Sequence, residues 1–184
     1  FLILVFLYNE LKHYPLAINC FNEGIKIQPK TIQLIYNRGG SYLNLNSFLP
    51  ALADFKLVID LDNQFELAYI QKSITLKYLY RYDEAIVNIN SAININNLNA
   101  DHFNLKATIL EYLHQYDDAL NHYDIAINLK GNFAEAKKNK SLCLLSRNYF
   151  DKGWILFESR WEVESYQLPL ASQKPLLDDF SIQN

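Results

Sequence analysis

Apolar and small residues return along this chain with a long period. Tyr82-Asp83-Glu84-Ala85-Ile86, Tyr116-Asp117-Asp118-Ala119-Leu120 and Phe48-Leu49-Pro50-Ala51-Leu52 carry their alanines at 51, 85 and 119, a spacing of 34 residues. The same step leads back to Ala17 and forward to Gly153, each again three residues after an aromatic. With the small residue numbered slot 20 of a 34-residue frame, slot 8 holds Val5, Gly39, Ser73, Ala107 and Ser141. Slot 17 is aromatic throughout, slot 24 is Phe21, Phe55, Ile89, Tyr123 and Phe157, and slot 27 is Gly24, Val58, Ala92, Ala126 and then Arg160. Apolar residues at slots 17, 20, 21, 24, 27, 28 and 31 follow helical spacing. Each frame therefore predicts two antiparallel helices, over slots 1–14 and 18–31. Small residues at slots 8 and 20 let the helix axes approach, and large ones at slots 4, 11, 17 and 24 fill the surrounding space.

Proline agrees with this frame. Pro15 and Pro50 fall in the first turn of a second helix, where the missing N–H costs nothing, and Pro29 falls just past one. Asp83, Glu84, Asp117, Asp118 and Asp151 sit at the positive end of the helix dipole. Asn46 and Asn148 at slot 15 suit the left-handed residue that ends a helix, whereas Tyr80 and His114 are poorer choices there.

The pattern resembles the tetratricopeptide repeat (TPR) family over residues 1–163, with repeats at about 1–31, 32–65, 66–99, 100–133 and 134–163. Asn63, Asn97 and Gly131 replace the family's usual proline at slot 32, and the slot 15 glycine is missing. The resemblance implies an all-α fold: an α-solenoid, a right-handed superhelix of about five helix-turn-helix repeats.

Both ends depart from the frame. Residues 1–8, Phe-Leu-Ile-Leu-Val-Phe-Leu-Tyr, are apolar but too short to cross a bilayer, and they lack the basic start and cleavage site of a signal peptide. The frame makes them the first helix of a repeat that begins at slot 4, covered by an upstream repeat or membrane segment, or a surface for self-assembly. With no methionine anywhere in 184 residues, the chain reads as processed or as a piece of a longer one. In repeat five Arg160 fills slot 27 and would block a sixth repeat, while Phe150, Trp154, Phe157 and Trp161 form one aromatic stripe that caps the array or docks a following domain. Gly153, Trp154, Glu158, Arg160 and Trp161 resemble a closing helix of bacterial TPR proteins that precedes a glycosyltransferase-type domain. That resemblance implies a catalytic C-terminal domain of the same chain, with residues 164–184, which carry Pro169 and Pro175, reading as a linker or the start of that domain.

Composition narrows the function classes. A formal charge of −3 gives no electrostatic reason to expect nucleic acid. Cys20 and Cys143 are too few for a disulfide scaffold and read as packing residues. His13, His102, His114 and His122 show no ligand spacing, the five glycines form no phosphate loop, and Lys137, Lys138 and Lys140 read as a solvated face or an anion patch. No catalytic group, metal or cofactor is expected, nor membrane association, and the location expected is cytoplasmic.

In the TPR family the first helix of each repeat lines a concave surface that holds a peptide or protein partner. Carried onto this sequence, that surface presents Gln33, Tyr36, Asn37 and Asn44 from repeat two, Gln71, Lys77 and Tyr78 from repeat three, Asn104, Thr108, Glu111 and Tyr112 from repeat four, and Asn139 from repeat five. Slot 6 reads Asn37, Gln71, Leu105, Asn139, similar to the asparagine ladder by which O-linked N-acetylglucosamine transferases hold peptide backbone, with Leu105 breaking it. The basic residues of chaperone-adaptor carboxylate clamps are absent from slots 2 and 5 of most repeats. The expected function is a peptide- or protein-binding scaffold, or the substrate-recruiting arm of a glycosyltransferase.

Overall fold

A computed structural model describes residues 12–158. Among them the chain forms nine helices and no strand: α1 (Tyr14–Ile27), α2 (Ile32–Asn44), α3 (Phe48–Leu61), α4 (Glu66–Tyr78), α5 (Tyr82–Ile95), α6 (Ala100–Tyr112), α7 (Tyr116–Leu129), α8 (Ala134–Ser146) and α9 (Phe150–Phe157). They fall into two compact units, residues 1–132 with α1–α7 and residues 133–184 with α8 and α9. The expectations for residues 1–11 and for Arg160, Trp161 and the linker lie outside the described residues.

In the first unit α2 packs on α3, α4 on α5 and α6 on α7, and α3 and α5 each also pack on the helix that follows. Second helices begin at the slot 17 aromatic itself, one residue earlier than expected. The turn inside each repeat explains why. Tyr80 takes the left-handed conformation (φ 59°), its N–H donates to the Lys77 carbonyl (3.1 Å), and the Arg81 N–H donates to the Leu76 carbonyl (2.9 Å). This is the Schellman closure, which satisfies carbonyls orphaned at a helix end. Asn46 (φ 56°) and His114 (φ 58°) close α2 and α6 in the same way, and Lys12 (φ 58°) occupies the equivalent slot before α1. The sequence frame thus dictates a left-handed residue at slot 15 even where a tyrosine or histidine must supply it.

Between repeats the missing proline is replaced by side-chain turns. The Asp62 carboxylate accepts from the Gln64 N–H (2.9 Å) and the Asn99 side chain accepts from the Asp101 N–H (3.0 Å), ending one helix and starting the next.

Small residues stand where helices cross. A Cβ on Gly39 would lie 2.8 Å from Phe55 Cε1, so α2 and α3 approach as closely as they do only because slot 8 is glycine here. In the next repeat Ser73 fills that slot and its hydroxyl donates to the Ala85 carbonyl (2.9 Å), a buried bond across the α4–α5 crossing. Ala107 and Ala119 meet the need with methyl groups alone, and both are fully buried. Around the crossings Phe55, Ile89 and Tyr123 at slot 24 are fully buried, as are Val58, Ala92 and Ala126 at slot 27.

Arg38 adds a polar tie that the repeat frame does not contain. Its Nε donates to Asp54 Oδ2 (2.8 Å), its Nη2 to Asp54 Oδ1 (2.6 Å) and its Nη1 to Asn22 Oδ1 (2.8 Å), joining α1, α2 and α3. The Asp54 side chain is 6% exposed and that of Arg38 19%. The hydrogen bonds to Asp54 raise the Arg38 pKa against the opposing effect of burial.

In the second unit α8 packs on α9. The turn repeats the same closure, with Asn148 left-handed (φ 65°) and the Tyr149 N–H on the Leu144 carbonyl (3.0 Å). Gly153 is the contact point: a Cβ there would lie 2.6 Å from Leu145 Cδ2.

Candidate functional site

Helices α2, α4 and α6 are the first helices of repeats two, three and four, and α2 and α4 touch directly. Their chemistry is aromatic and amide, and much of it is already ordered by internal bonds. Gln33 Nε2 donates to Asn37 Oδ1 (3.0 Å) along one face of α2, and Asn44 Nδ2 donates to the Gly40 carbonyl (3.0 Å). Tyr36 is half-buried and raised in pKa by that burial, with a hydrogen bond to Gln71 opposing the shift. Its ring lies between Phe55 (5.9 Å) and Phe65 (5.2 Å), both tilted. Tyr36 and Gln71 therefore form a preset pair linking α2 to α4.

Two stacked ring pairs run between repeats. Phe48 stacks on Tyr78 (centroids 5.3 Å, 12°) and Tyr82 stacks on Tyr112 (5.0 Å, 7°). The aromatic that opens a second helix thus seats the last tyrosine of the next first helix. One face of each tyrosine is fixed, yet Tyr78 and Tyr112 stay 52% and 55% exposed. A ring held by a stack yet half exposed gives contact area at little entropic cost.

Slot 12 distinguishes the two tyrosines. In α4 it is Lys77, whose Nζ lies 5.5 Å over the Tyr78 ring centre. In α6 it is Glu111, half-buried, one oxygen of which accepts from the hydroxyl of fully buried Tyr123. Burial raises the Glu111 pKa and the Tyr123 bond opposes that rise. Thr108, half-buried, spends its hydroxyl on the Leu105 carbonyl (2.7 Å).

Asn104 corrects the expectation for α6. It is 7% exposed and already engaged within the protein, because slot 5 of this helix turns toward the interior. It offers a partner almost no surface. Nearby His102, also buried, sits with Nδ1 3.2 Å from the Asn96 carbonyl and Nε2 2.9 Å from Glu66 Oε1. The second contact is close in distance but does not have the geometry of a hydrogen bond.

The second unit carries Asn139 on α8, half-buried and engaged, together with Lys137, Lys138 and Lys140 in the same condition. On α9 Phe150 and Trp154 are each about half exposed, Phe157 is half-buried, and Trp154 meets Phe157 edge to face at 5.6 Å. The stripe therefore leaves open apolar surface on α9, and its fourth member, Trp161, lies outside the described residues.

Arg38 with Asp54 and Asn22, His102 with Glu66, Glu111 with Tyr123 and the two ring stacks were all missed by sequence reasoning. Only the stacks had a visible signal, a slot 13 tyrosine in two successive repeats. Among the described residues no group of three or more His, Cys, Asp or Glu side chains could hold a metal, and no helix is long and apolar enough to cross a membrane. Cys143 is buried and Cys20 half-buried.

No protein-family model matches the chain. The protein STIP1 homolog of Dictyostelium discoideum is 34% identical over 74 residues, 40% of this chain and 13% of that protein. The chain thus spans far less than two thirds of that relative's length. Among solved structures the fold is similar to a crystal structure of MamA, with a TM-score of 0.76 at 19% identity over 84% of this chain and 91% of that one. It is also similar to YrrB, described as a TPR protein with an unusual peptide-binding site, with a TM-score of 0.66 at 23% identity over 81% and 77%. At these identities the likeness is one of fold: an all-α solenoid of the TPR type.

Proposed function

We propose that this chain is an interaction module that binds a peptide or a partner protein on the face formed by its first helices, and that it performs no catalysis itself. The observation that carries this reading is the pair of exposed tyrosines, Tyr78 and Tyr112, each backed by a stacked ring, together with the amides Gln33, Asn37 and Gln71 on α2 and α4. Amides and tyrosines suit an extended backbone, which needs donors and acceptors at intervals and flat surfaces between them. The YrrB description, of a peptide-binding TPR protein, supports the same use of the fold. A ligand can be drawn from a randomised displayed peptide library selected on the purified protein. Replacing Asn37, Gln71 and Tyr78 together should weaken its binding by about tenfold or more. Unchanged binding would remove the first-helix face from the account.

The half-exposed Phe150 and Trp154 favour a second reading, in which α9 docks a further domain of the same chain and the array recruits substrate for a glycosyltransferase. The gene sequence after Asn184 decides this reading: a Rossmann-like pattern supports it, and its absence refutes it.

A further inference from the structure

Repeats three and four place the same two slots in the same local geometry and fill one of them with opposite charges. In repeat three the slot 12 lysine, Lys77, lies over the ring of Tyr78 at slot 13. In repeat four slot 12 is Glu111, so Tyr112 has no lysine of its own in that position. Its ring is backed on one side by Tyr82 and remains more than half exposed. Glu111, the residue before it on α6, is half-buried, and its carboxylate accepts from the Tyr123 hydroxyl.

We propose that the first-helix face at repeat four takes a cationic side chain of the bound segment, arginine in preference to lysine, held by the Glu111 carboxylate and the free face of Tyr112. This rests on the interaction-module reading and adds the chemistry of the partner to it. A half-buried carboxylate gains most from a charged donor. Burial raises the Glu111 pKa, in line with that demand for a charged donor. The nearby lysines do not meet it: Lys77 lies over Tyr78, and the charge that acts on half-buried Lys106 is that of Asp118. A guanidinium is planar, can stack on a ring and can donate two parallel bonds to one carboxylate, which an ammonium cannot do. The Tyr123 bond fixes the carboxylate, so little ordering is left for the partner to impose.

The test is a selection from a randomised displayed peptide library, run in parallel on the wild-type protein and on Glu111→Gln. The glutamine keeps an acceptor for Tyr123 and removes the charge, and circular dichroism checks that the variant folds. Wild type should enrich arginine-bearing peptides. A synthetic selected peptide should lose about tenfold in affinity when its arginine is replaced by citrulline, the uncharged near-isostere. Glu111→Gln should bind the arginine and citrulline forms alike. The inference is overturned if wild type selects peptides without basic enrichment, or if the variant retains the arginine preference. If the selected peptides bind the Asn37, Gln71 and Tyr78 triple variant undiminished, or if none is selected, the interaction face itself has failed rather than its charge preference.

Discussion

Arg38→Ala should be among the most damaging single changes in the first unit. The guanidinium gives Asp54 two bonds, at 2.8 and 2.6 Å, and gives Asn22 a third at 2.8 Å. Truncation leaves a carboxylate that is 6% exposed without its counterion. Stranding one partner of a buried pair costs about 3–5 kcal/mol, against about 0.2–1 kcal/mol for an exposed pair. Arg38→Lys keeps the charge but loses the fork, so an intermediate loss of about 1–2 kcal/mol follows. Replacing both members with apolar residues of similar size, Arg38→Met with Asp54→Leu, should recover most of the loss, since no charge is then left in the interior. Urea unfolding followed by far-ultraviolet circular dichroism measures all four proteins. An Arg38→Ala protein within about 1 kcal/mol of wild type would show that Asp54 is effectively solvated and would refute the reasoning.

Four further changes follow from the same geometry. Tyr80→Gly and His114→Gly relieve left-handed backbones that cost a side-chain-bearing residue about 1–2 kcal/mol, offset partly by a floppier unfolded chain. Each should raise stability by a few tenths to about 1 kcal/mol. The Tyr80 gain is the cleaner, since that side chain is 80% exposed, and a lower urea midpoint for Tyr80→Gly would contradict the assignment. Gly153→Ala drives a methyl to 2.6 Å from Leu145 Cδ2, and overpacking of about 1–3 kcal/mol outweighs the better helix propensity of alanine. Tryptophan fluorescence should report an earlier unfolding transition, and an unshifted one would show that α9 slides freely on α8. Glu111 holds its proton more tightly folded than unfolded, because its pKa is raised from the ordinary 4.5. Its contribution to stability is therefore present below that value and lost as pH rises through the folded pKa. Glu111→Gln should flatten that part of the pH–stability profile and be no less stable than wild type at neutral pH; a steeper profile would be inconsistent with a desolvated carboxylate.

The parts of the fold legible in the sequence are those that every repeat must solve alike. Helix crossing needs a small residue, so Gly39, Ser73, Ala107 and the alanines opposite them show through as a periodic signal. Helix closure needs a left-handed residue at a fixed slot, so even Tyr80 and His114 obey the frame although their side chains argue against it. What stayed hidden is what single repeats solve alone. Arg38 reaches Asp54 from 16 residues away at slots no other repeat uses this way, and a pairing that occurs once has no period. The candidate face was legible only as a set of slots. Which members are spent internally depends on rotamers and neighbours: Tyr36 on Gln71, Thr108 on the Leu105 carbonyl, Asn104 in the interior. Glu111 was legible as a slot, but its bond from Tyr123, which sets it apart from the other polar residues of the face, was not.

The claim that the first helices form the binding face has one direct test. With a selected peptide titrated into isotopically labelled protein, nuclear magnetic resonance should show shift changes at Gln71, Tyr78 and Tyr112, on α4 and α6. Val87 and Asp124, exposed on the second helices α5 and α7, should stay unmoved. Shifts concentrated at Val87 and Asp124, with α4 and α6 silent, would contradict the account.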